Sequence, residues 1–115
     1  MIIQKFGGSH FINEQTFNNF INILKNINDK SVIVISALGK TTRLLRSAAY
    51  AAESRNHEEW EANLAAIEKF HIKLINNLNL SKNSIRDAKE FIVNKVETLK
   101  QYFASIEILE ELTPR

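Results

Sequence analysis

The chain has 115 residues, 44% of them hydrophobic and 24% charged, so it is long enough for one ordinary core and has a globular composition. It contains no cysteine, which excludes a disulfide framework and a thiolate metal site. A net charge of +2 is too small to indicate a nucleic-acid partner. No apolar run approaches the ~20 residues that a membrane span needs, and no secretory signal is recognisable at the start. We therefore expect a cytoplasmic protein with no nucleic-acid or membrane partner.

A short apolar strand, residues 2–6, opens the chain and ends in the pair Gly7 and Gly8. Because glycine has no Cβ, such a pair can adopt unusual dihedral angles and lets a ligand approach its backbone amides. Successive amides in a turn form a concavity that binds anions. Lys5 adds a mobile positive charge, and the Ser9 hydroxyl can donate to a phosphate oxygen. The turn therefore predicts a phosphate site, while a plain strand-to-helix turn beside a solvated lysine remains the alternative.

An amphipathic helix and a second apolar strand follow. Asn13 suits the N-cap of the helix, and apolar side chains recur at helical spacing: Phe17, Phe20, Ile21, Leu24 and Ile27. The second strand, residues 31–36, ends in a small polar turn around Gly39. Apolar strands of this kind are typical of parallel sheets, in which ligands bind beyond the carboxyl ends of the strands. We therefore predict adjacent parallel strands, with Ser36 close to Gly8 at one edge of the sheet.

The remainder of the chain has helical periodicity. It predicts three helices, over about residues 42–54, 58–78 and 85–112. In the last helix the residues expected to face inward are Phe91, Ile92, Val96, Leu99, Phe103, Ile106 and Leu109. We interpret residues 1–56 as a β-α-β-α part that binds phosphate and substrate, and residues 57–115 as a helical part.

Two segments resemble signatures of the aspartate kinases, which belong to the amino-acid kinase superfamily. Residues 5–9, Lys-Phe-Gly-Gly-Ser, are similar to the K-F-G-G-[ST] signature that opens this family. Residues 34–45 are similar to its strand and turn V-V-S-A-x-G-x-x-T-x-x-L, and residues 111–115 resemble the segment before its S-x-G-E motif. His10 departs from the pattern, because the family has a small serine there, so the turn beside the phosphates can differ at this position.

The resemblance implies a fold and an activity. The fold would be the N-terminal fragment of a three-layer αβα amino-acid kinase domain, an α/β structure with two parallel strands and a mostly helical remainder. The activity would be ATP-dependent phosphorylation of the side-chain carboxylate of L-aspartate, with Mg²⁺ accompanying ATP. This reaction gives 4-phospho-L-aspartate and opens lysine, threonine and methionine biosynthesis. The rest of the kinase domain is expected beyond Arg115, so the chain alone should be inactive, and the complete protein should be a homo-oligomer.

The resemblance also assigns roles to individual residues. Lys5 would be the catalytic residue that neutralises the β and γ phosphates. The ATP phosphates would be bound by Lys5, Gly7, Gly8 and Ser9. Ser36 and Thr42 would bind the substrate amino acid and the transferred phosphoryl group. No residue of the chain is expected to be a metal ligand.

Three other functions remain open at this point. Another amino-acid kinase would share the glycine turns, and a bifunctional aspartokinase–homoserine dehydrogenase would share the same opening. A non-enzymatic helical interaction module built on residues 57–112 is the alternative of a different class. A P-loop at Gly39-Lys40-Thr41 is disfavoured, because Val34 occupies the position of the first glycine of that motif.

Overall fold

The computed structural model of the protein describes residues 1–109, except for the side chain of Ser9. In chain order its elements are β1 (Ile2–Phe6), a 3₁₀ turn (Gly8–Phe11), α1 (Glu14–Lys25), β2 (Ser31–Ile35), α2 (Thr41–Glu53), α3 (His57–Asn77) and α4 (Lys82–Leu109). The predicted α/β class, with two parallel strands and a mostly helical remainder, is confirmed. The chain forms two compact units, Met1–Thr41 and a unit that begins at Thr42. The functional division after residue 56 stays a prediction.

The two strands form a parallel sheet, as predicted. Their register runs from Ile2 opposite Ser31 to Phe6 opposite Ile35. The amide of Ser36 donates to the carbonyl oxygen of Phe6 at 3.2 Å, so both strands end at the same edge of the sheet. Only the end of β2 differs from the prediction, since the strand stops at Ile35 and Ser36 belongs to the turn.

An aromatic cluster holds α1 against the sheet. Phe6, Phe11 and Phe20 are buried there, and the ring centroids of Phe6 and Phe20 lie 4.7 Å apart in an edge-to-face arrangement. Phe17 and Ile33 pack against this group. Because side chains alternate along a strand, the opposite face of the sheet carries the exposed side chains of Ile3, Val32 and Val34. The apolar stripe of α1 therefore packs on the sheet through Phe17 and Phe20.

The second unit has its own core, made by α2, α3 and α4. Its buried members are Ala48, Ala51, Ala52, Trp60, Leu64, Ile67, Val96 and Phe103. The three alanines belong to α2, and such small side chains let neighbouring helices approach closely. The break between α2 and α3 lies where it was predicted. Arg55 adopts a left-handed conformation with φ of 60°, and the Asn56 side chain accepts from the amide of Glu59 to cap α3.

The beginning of α4 differs from its prediction. The helix starts at Lys82 instead of about Ile85, because the Ser81 hydroxyl accepts from the amide of Ser84 at 3.2 Å and so caps the helix earlier. Two residues predicted to face inward, Phe91 and Leu109, are exposed instead. The predicted end near residue 112 lies outside the described residues. No helix in the described part of the chain combines the length and apolar character required to cross a membrane.

A polar cluster joins the start of α3 to the end of α4. His57 lies 3.2 Å from Glu61 through Nε2 and 3.2 Å from Glu107 through Nδ1. The other Glu107 carboxylate oxygen accepts from the indole nitrogen of the buried Trp60 at 3.4 Å. The hydrogen bond to Glu107, followed by the negative charge of Glu61, raises the pKa of His57 above its ordinary value.

Candidate phosphate-binding site

The glycine turn after β1 and the polar turn after β2 meet at the edge of the sheet. A Cβ atom placed on Gly8 would lie 3.8 Å from Ser36 Oγ and 3.9 Å from the carbonyl oxygen of Gly39. This adjacency follows from the strand register, since β1 and β2 end side by side and each chain turns away immediately afterwards. The prediction that Ser36 lies close to Gly8 is therefore confirmed.

The glycine pair provides open space and not unusual dihedral angles. Gly7 has φ of −83° and ψ of 178°, an extended conformation that any residue can adopt. Among the described residues, Gly39 is the one glycine with positive φ, at 55°. Gly7 and Gly8 therefore do not use the dihedral freedom of glycine, whereas Gly39 does. A Cβ atom on Gly7 would have no neighbour within 4 Å, so its backbone is accessible to a ligand.

The 3₁₀ turn begins inside the glycine pair, at Gly8. The amide of His10 donates to the carbonyl oxygen of Gly7 at 3.1 Å, which fixes the direction of the turn. As first residues of that turn, Gly8 and Ser9 have amides with no acceptor inside it. Such amides favour an anion.

His10 is part of the hydrophobic support of this turn. Its ring lies edge-to-face against Phe6, with centroids 5.3 Å apart, and a second edge contact reaches Phe11 at 6.3 Å. These contacts extend the aromatic cluster of the first unit up to the glycine pair. The departure from the family pattern at His10 therefore has a structural explanation in packing.

The other predicted site residues differ in how they are placed. Lys5 is exposed at the end of β1, opposite Val34, and forms no ion pair within the described part of the chain. Ser36 is exposed, and its hydroxyl donates to the carbonyl oxygen of Ala37 at 3.1 Å. Thr42 is exposed in the first turn of α2 and belongs to the second unit. The Ser9 side chain lies outside the described part of the structure.

Thr41 has a role that sequence reasoning missed. Its amide and its hydroxyl both donate to the carbonyl oxygen of Leu38, at 3.2 and 2.6 Å, so it closes the turn that contains Gly39. A threonine just before a helix is typical of an N-cap, in which the side chain accepts a hydrogen bond. Here the helix includes Thr41 and the hydroxyl is the donor instead.

Positive charge is concentrated in the part of the chain that carries both turns. Residues 1–46 contain six lysines and arginines against two acidic residues, a net charge of +4, whereas the remainder has nine against eleven, a net charge of −2. A local excess of cations raises the concentration of an anionic ligand. No group of three histidine or acidic residues in the described structure is arranged to hold a metal ion.

Comparison with known proteins agrees with this geometry. Residues 1–107 match the sequence profile of the amino acid kinase family. The chain belongs to that family. It is also 32% identical, over 117 residues, to "Aspartokinase 1, chloroplastic" of Arabidopsis thaliana. That alignment covers 98% of this chain but 19% of the relative, so the chain spans about a fifth of the relative's length.

Family membership decides between some of the open interpretations. It disfavours a P-loop protein and a helical module of a different class, because the match includes both the glycine turns and the helices. The amino acid kinase match extends through α3 and nearly all of α4. One family match therefore covers both the glycine turns and the helical residues.

Proposed function

We propose that the protein is an aspartate kinase, which transfers the γ-phosphoryl group of ATP to the side-chain carboxylate of L-aspartate. The observation that carries the proposal is the meeting of two turns, so close that a Cβ atom added to Gly8 would lie 3.8 Å from Ser36 Oγ, in a member of the amino acid kinase family. The choice of aspartate is supported by the Lys-Phe-Gly-Gly-Ser segment and by the similarity to the Arabidopsis aspartokinase. The product, 4-phospho-L-aspartate, would enter lysine, threonine and methionine biosynthesis.

In this proposal the chain contributes positioning and charge neutralisation, which are the main requirements of phosphoryl transfer. The amides of Gly7, Gly8 and Ser9 bind phosphate oxygens, and the Ser9 hydroxyl adds a donor. Lys5 has no competing ion pair among the described residues, so its charge is available to the β and γ phosphates. Ser36 and Thr42 hold the acceptor amino acid and the transferred group, as the family resemblance implies.

Mg²⁺ would accompany ATP, neutralise charge on its phosphates and orient them. The described residues offer no acidic cluster for this ion. Because the chain spans 19% of the relative's length, we expect the remaining catalytic groups and the adenine pocket to be absent from these 115 residues. We therefore expect the 115-residue chain alone to have no kinase activity.

A first test measures ATP binding to the 115-residue chain. With the phosphate turn present and the adenine pocket absent, we expect a Kd no tighter than millimolar, about −4 kcal/mol. The sequence offers a direct probe, because its three glycines, Gly7, Gly8 and Gly39, all lie in the two turns. Titration of the ¹⁵N-labelled chain with ATP and Mg²⁺ should shift these three amide signals.

Adenosine, which lacks phosphates, is the matched control and should leave the glycine signals in place. Lys5→Met should weaken the ATP-induced shifts, whereas Lys40→Met should weaken them less. Unchanged glycine signals at tens of millimolar ATP would contradict a phosphate site at the two turns. Micromolar binding of ATP would instead show that the chain is a complete nucleotide-binding module.

A second test addresses substrate choice. Residues 1–107 would replace the aligned segment of the Arabidopsis aspartokinase, and the chimera would be assayed with L-aspartate, L-glutamate and carbamate as acceptors. The proposal predicts ATP consumption with L-aspartate that depends on Lys5 of the transplanted segment. A folded chimera that phosphorylates another acceptor in preference to aspartate would overturn the assignment of the substrate.

A further inference from the structure

The space in front of Gly8 is bordered by two oxygen atoms of the turn after β2. A Cβ atom added to Gly8 would lie 3.8 Å from Ser36 Oγ and 3.9 Å from the carbonyl oxygen of Gly39, which are ordinary van der Waals distances. The backbone does not require glycine here either, because Gly8 has no positive φ. Glycine at this position therefore keeps a space open that the turn itself could do without.

Both of these oxygen atoms can only accept hydrogen bonds from a ligand. The single proton of the Ser36 hydroxyl is donated to the carbonyl oxygen of Ala37 at 3.1 Å, so that Oγ has only its lone pairs left. The carbonyl oxygen of Gly39 has no proton to donate. A ligand atom that enters the space in front of Gly8 must therefore be a hydrogen-bond donor.

Phosphate and carboxylate groups do not fit between two acceptors. At neutral pH their oxygens carry negative charge and lone pairs, which would be repelled by the lone pairs of Ser36 and Gly39. An ammonium group has three donors and no acceptor, so it can donate to both oxygens at the same time. Hydrogen bonds from a charged donor are also stronger than those between neutral groups. An ammonium group is therefore the best match for this space.

The acidic residues of the first unit do not belong to the two turns. This unit contains two of them, Glu14 and Asp29. Glu14 begins α1, and Asp29 lies in the turn before β2, at the opposite end of that strand from Ser36. Within this unit, a cation at the two turns therefore depends on the neutral acceptors of Ser36 and Gly39.

We propose that Ser36 and Gly39 bind the α-ammonium group of the acceptor amino acid in front of Gly8, an assignment that rests on the function proposed above. The donors of this edge, which are the amides of the glycine pair and the Lys5 side chain, then serve the anionic phosphates of ATP. The two acceptors serve the cationic group of the amino acid. Its side-chain carboxylate, which receives the phosphoryl group, remains available to the phosphates.

Such a site selects amino acids against dicarboxylic acids that lack the ammonium group. Succinate has the two carboxylates of L-aspartate but no amino group, and glutarate has the same relation to L-glutamate. With succinate bound, the Ser36 and Gly39 oxygens would face a methylene group and lose their hydrogen bonds to water without replacement, which is unfavourable. We therefore expect the two acceptors to contribute to the binding of L-aspartate and not to that of succinate.

Paired ligands test the ammonium site on the ¹⁵N-labelled 115-residue chain. L-aspartate and L-glutamate should shift the amide signals of Gly8 and Gly39, whereas succinate and glutarate should shift them much less. The second pair separates this site from the choice of aspartate, because a chimera that fails to phosphorylate L-aspartate refutes the proposed function and leaves the glutamate–glutarate comparison valid. Equal shifts within both pairs, or no shift by either amino acid up to about 100 mM, would overturn the ammonium site.

Ser36→Ala removes one acceptor, and Ser31→Ala is its matched control. Ser31 begins the same strand, and its hydroxyl also donates to a nearby carbonyl oxygen, that of Asp29, at 3.1 Å. Ser36→Ala should weaken the binding of L-aspartate about three- to tenfold without weakening that of succinate, and it should preserve the ATP-induced shifts. Ser31→Ala should change none of these. If Ser36→Ala weakened the binding of succinate as much as that of L-aspartate, Ser36 would recognise a carboxylate and the proposal would be wrong.

Discussion

At the scale of single residues, Lys5 at the end of β1 and Lys40 in the turn after β2 lead to opposite interpretations of the site. Lys5 precedes the glycine pair, and Lys40 lies in the turn closed by Thr41. Both are exposed and neither has an ion pair among the described residues. The amino-acid kinase interpretation assigns the transition-state charge to Lys5, whereas a P-loop interpretation would assign it to Lys40.

Lys5→Met should therefore lower the kcat of the chimeric kinase by about 10²-fold or more, near 2.7 kcal/mol. Methionine keeps much of the apolar stem and removes the charge, which matters most when negative charge shifts between the β and γ phosphates. Folding stability should change little, since Lys5 is exposed. Steady-state kinetics at saturating ATP and L-aspartate measure the effect.

Lys40→Met is the control for that experiment and should cost less than about tenfold in kcat, on the scale of 1.36 kcal/mol per factor of ten. The reverse order, in which Lys40→Met abolishes phosphoryl transfer and Lys5→Met leaves it intact, would refute the amino-acid kinase assignment of this site.

His57 should make the link between α3 and α4 depend on pH. Only the protonated imidazolium can donate to Glu61 and Glu107 at the same time, because each ring nitrogen has a carboxylate neighbour. The pKa of His57 is raised in the folded protein, so the folded state binds a proton more tightly than the unfolded one. The resulting stabilisation is complete below the unfolded pKa of about 6.5 and is lost as pH rises through the raised folded pKa.

Urea unfolding of the native chain and of His57→Gln, measured between about pH 5 and pH 8, should show a stability difference that shrinks as pH rises. An NMR titration of Glu107→Gln gives the control, since glutamine keeps an acceptor for the Trp60 indole and removes the carboxylate. The pKa of His57 should fall in that variant. A pH-independent difference between native chain and His57→Gln would contradict the prediction.

At the scale of elements, α1 shows how much a cap contributes in a unit with a small core. The Asn13 side chain accepts from the amide of Thr16 at 3.0 Å, and the Thr16 hydroxyl accepts from the amide of Asn13 at 3.1 Å. This reciprocal capping box satisfies two amides at the helix start. We expect Asn13→Ala to destabilise the first unit by about 1 kcal/mol.

Asn19→Ala is a matched control for the same residue change. Asn19 is exposed in the interior of α1, where alanine is the better helix former. The control should be neutral or slightly stabilising, by a few tenths of a kcal/mol. Urea midpoints read from the glycine amide signals give both values, and equal destabilisation by the two substitutions would argue against the capping role.

The elements also show what the sequence could predict. The bounds of β1, the cap of α1 and the break at Arg55 and Asn56 were predictable because each depends on neighbouring residues alone. In α4, apolar residues lie on more than one side of the helix, and periodicity cannot tell which side packs in the core of the second unit. Phe91 was assigned to the core for this reason, although Val96 and Phe103 are the residues that are buried.

The candidate site was predictable to a similar extent. The adjacency of Gly8 and Ser36 follows from the parallel β-α-β order, which the sequence indicates. The dihedral angles of the glycine pair do not follow, because the same two residues suit both an extended turn and a left-handed one. The hydrogen bonds of Thr41 depend on the position of Leu38 in the completed turn, which no local sequence signal specifies.

At the scale of the whole molecule, the chain contains two separate cores of different size. Among residues 1–109, the first unit has a core cluster of three buried hydrophobic residues at a two-stranded sheet, and the second has a core cluster of eight among three helices. A two-stranded sheet is marginal by itself in water. Helix packing, by contrast, buries a continuous apolar face along most of α3 and α4. We therefore expect the first unit to be the less stable of the two.

Each unit has its own spectroscopic probe, which makes this expectation testable. The single tryptophan, Trp60, is buried in the core of the second unit, and the three glycines lie in the first. In a urea titration the glycine amide signals should be lost at a lower concentration than the change in Trp60 fluorescence. Non-coincident transitions are the standard sign that unfolding is not two-state.

Two variants separate this prediction from a single cooperative transition. Phe11→Ala removes a side chain that is completely buried in the first core, and Leu64→Ala does the same in the second. Each substitution should destabilise its own unit by about 2–5 kcal/mol and should shift the transition of that unit much more than that of the other. If both probes moved together in both variants, the two cores would unfold as one cooperative structure, and the expectation of a less stable first unit would be wrong.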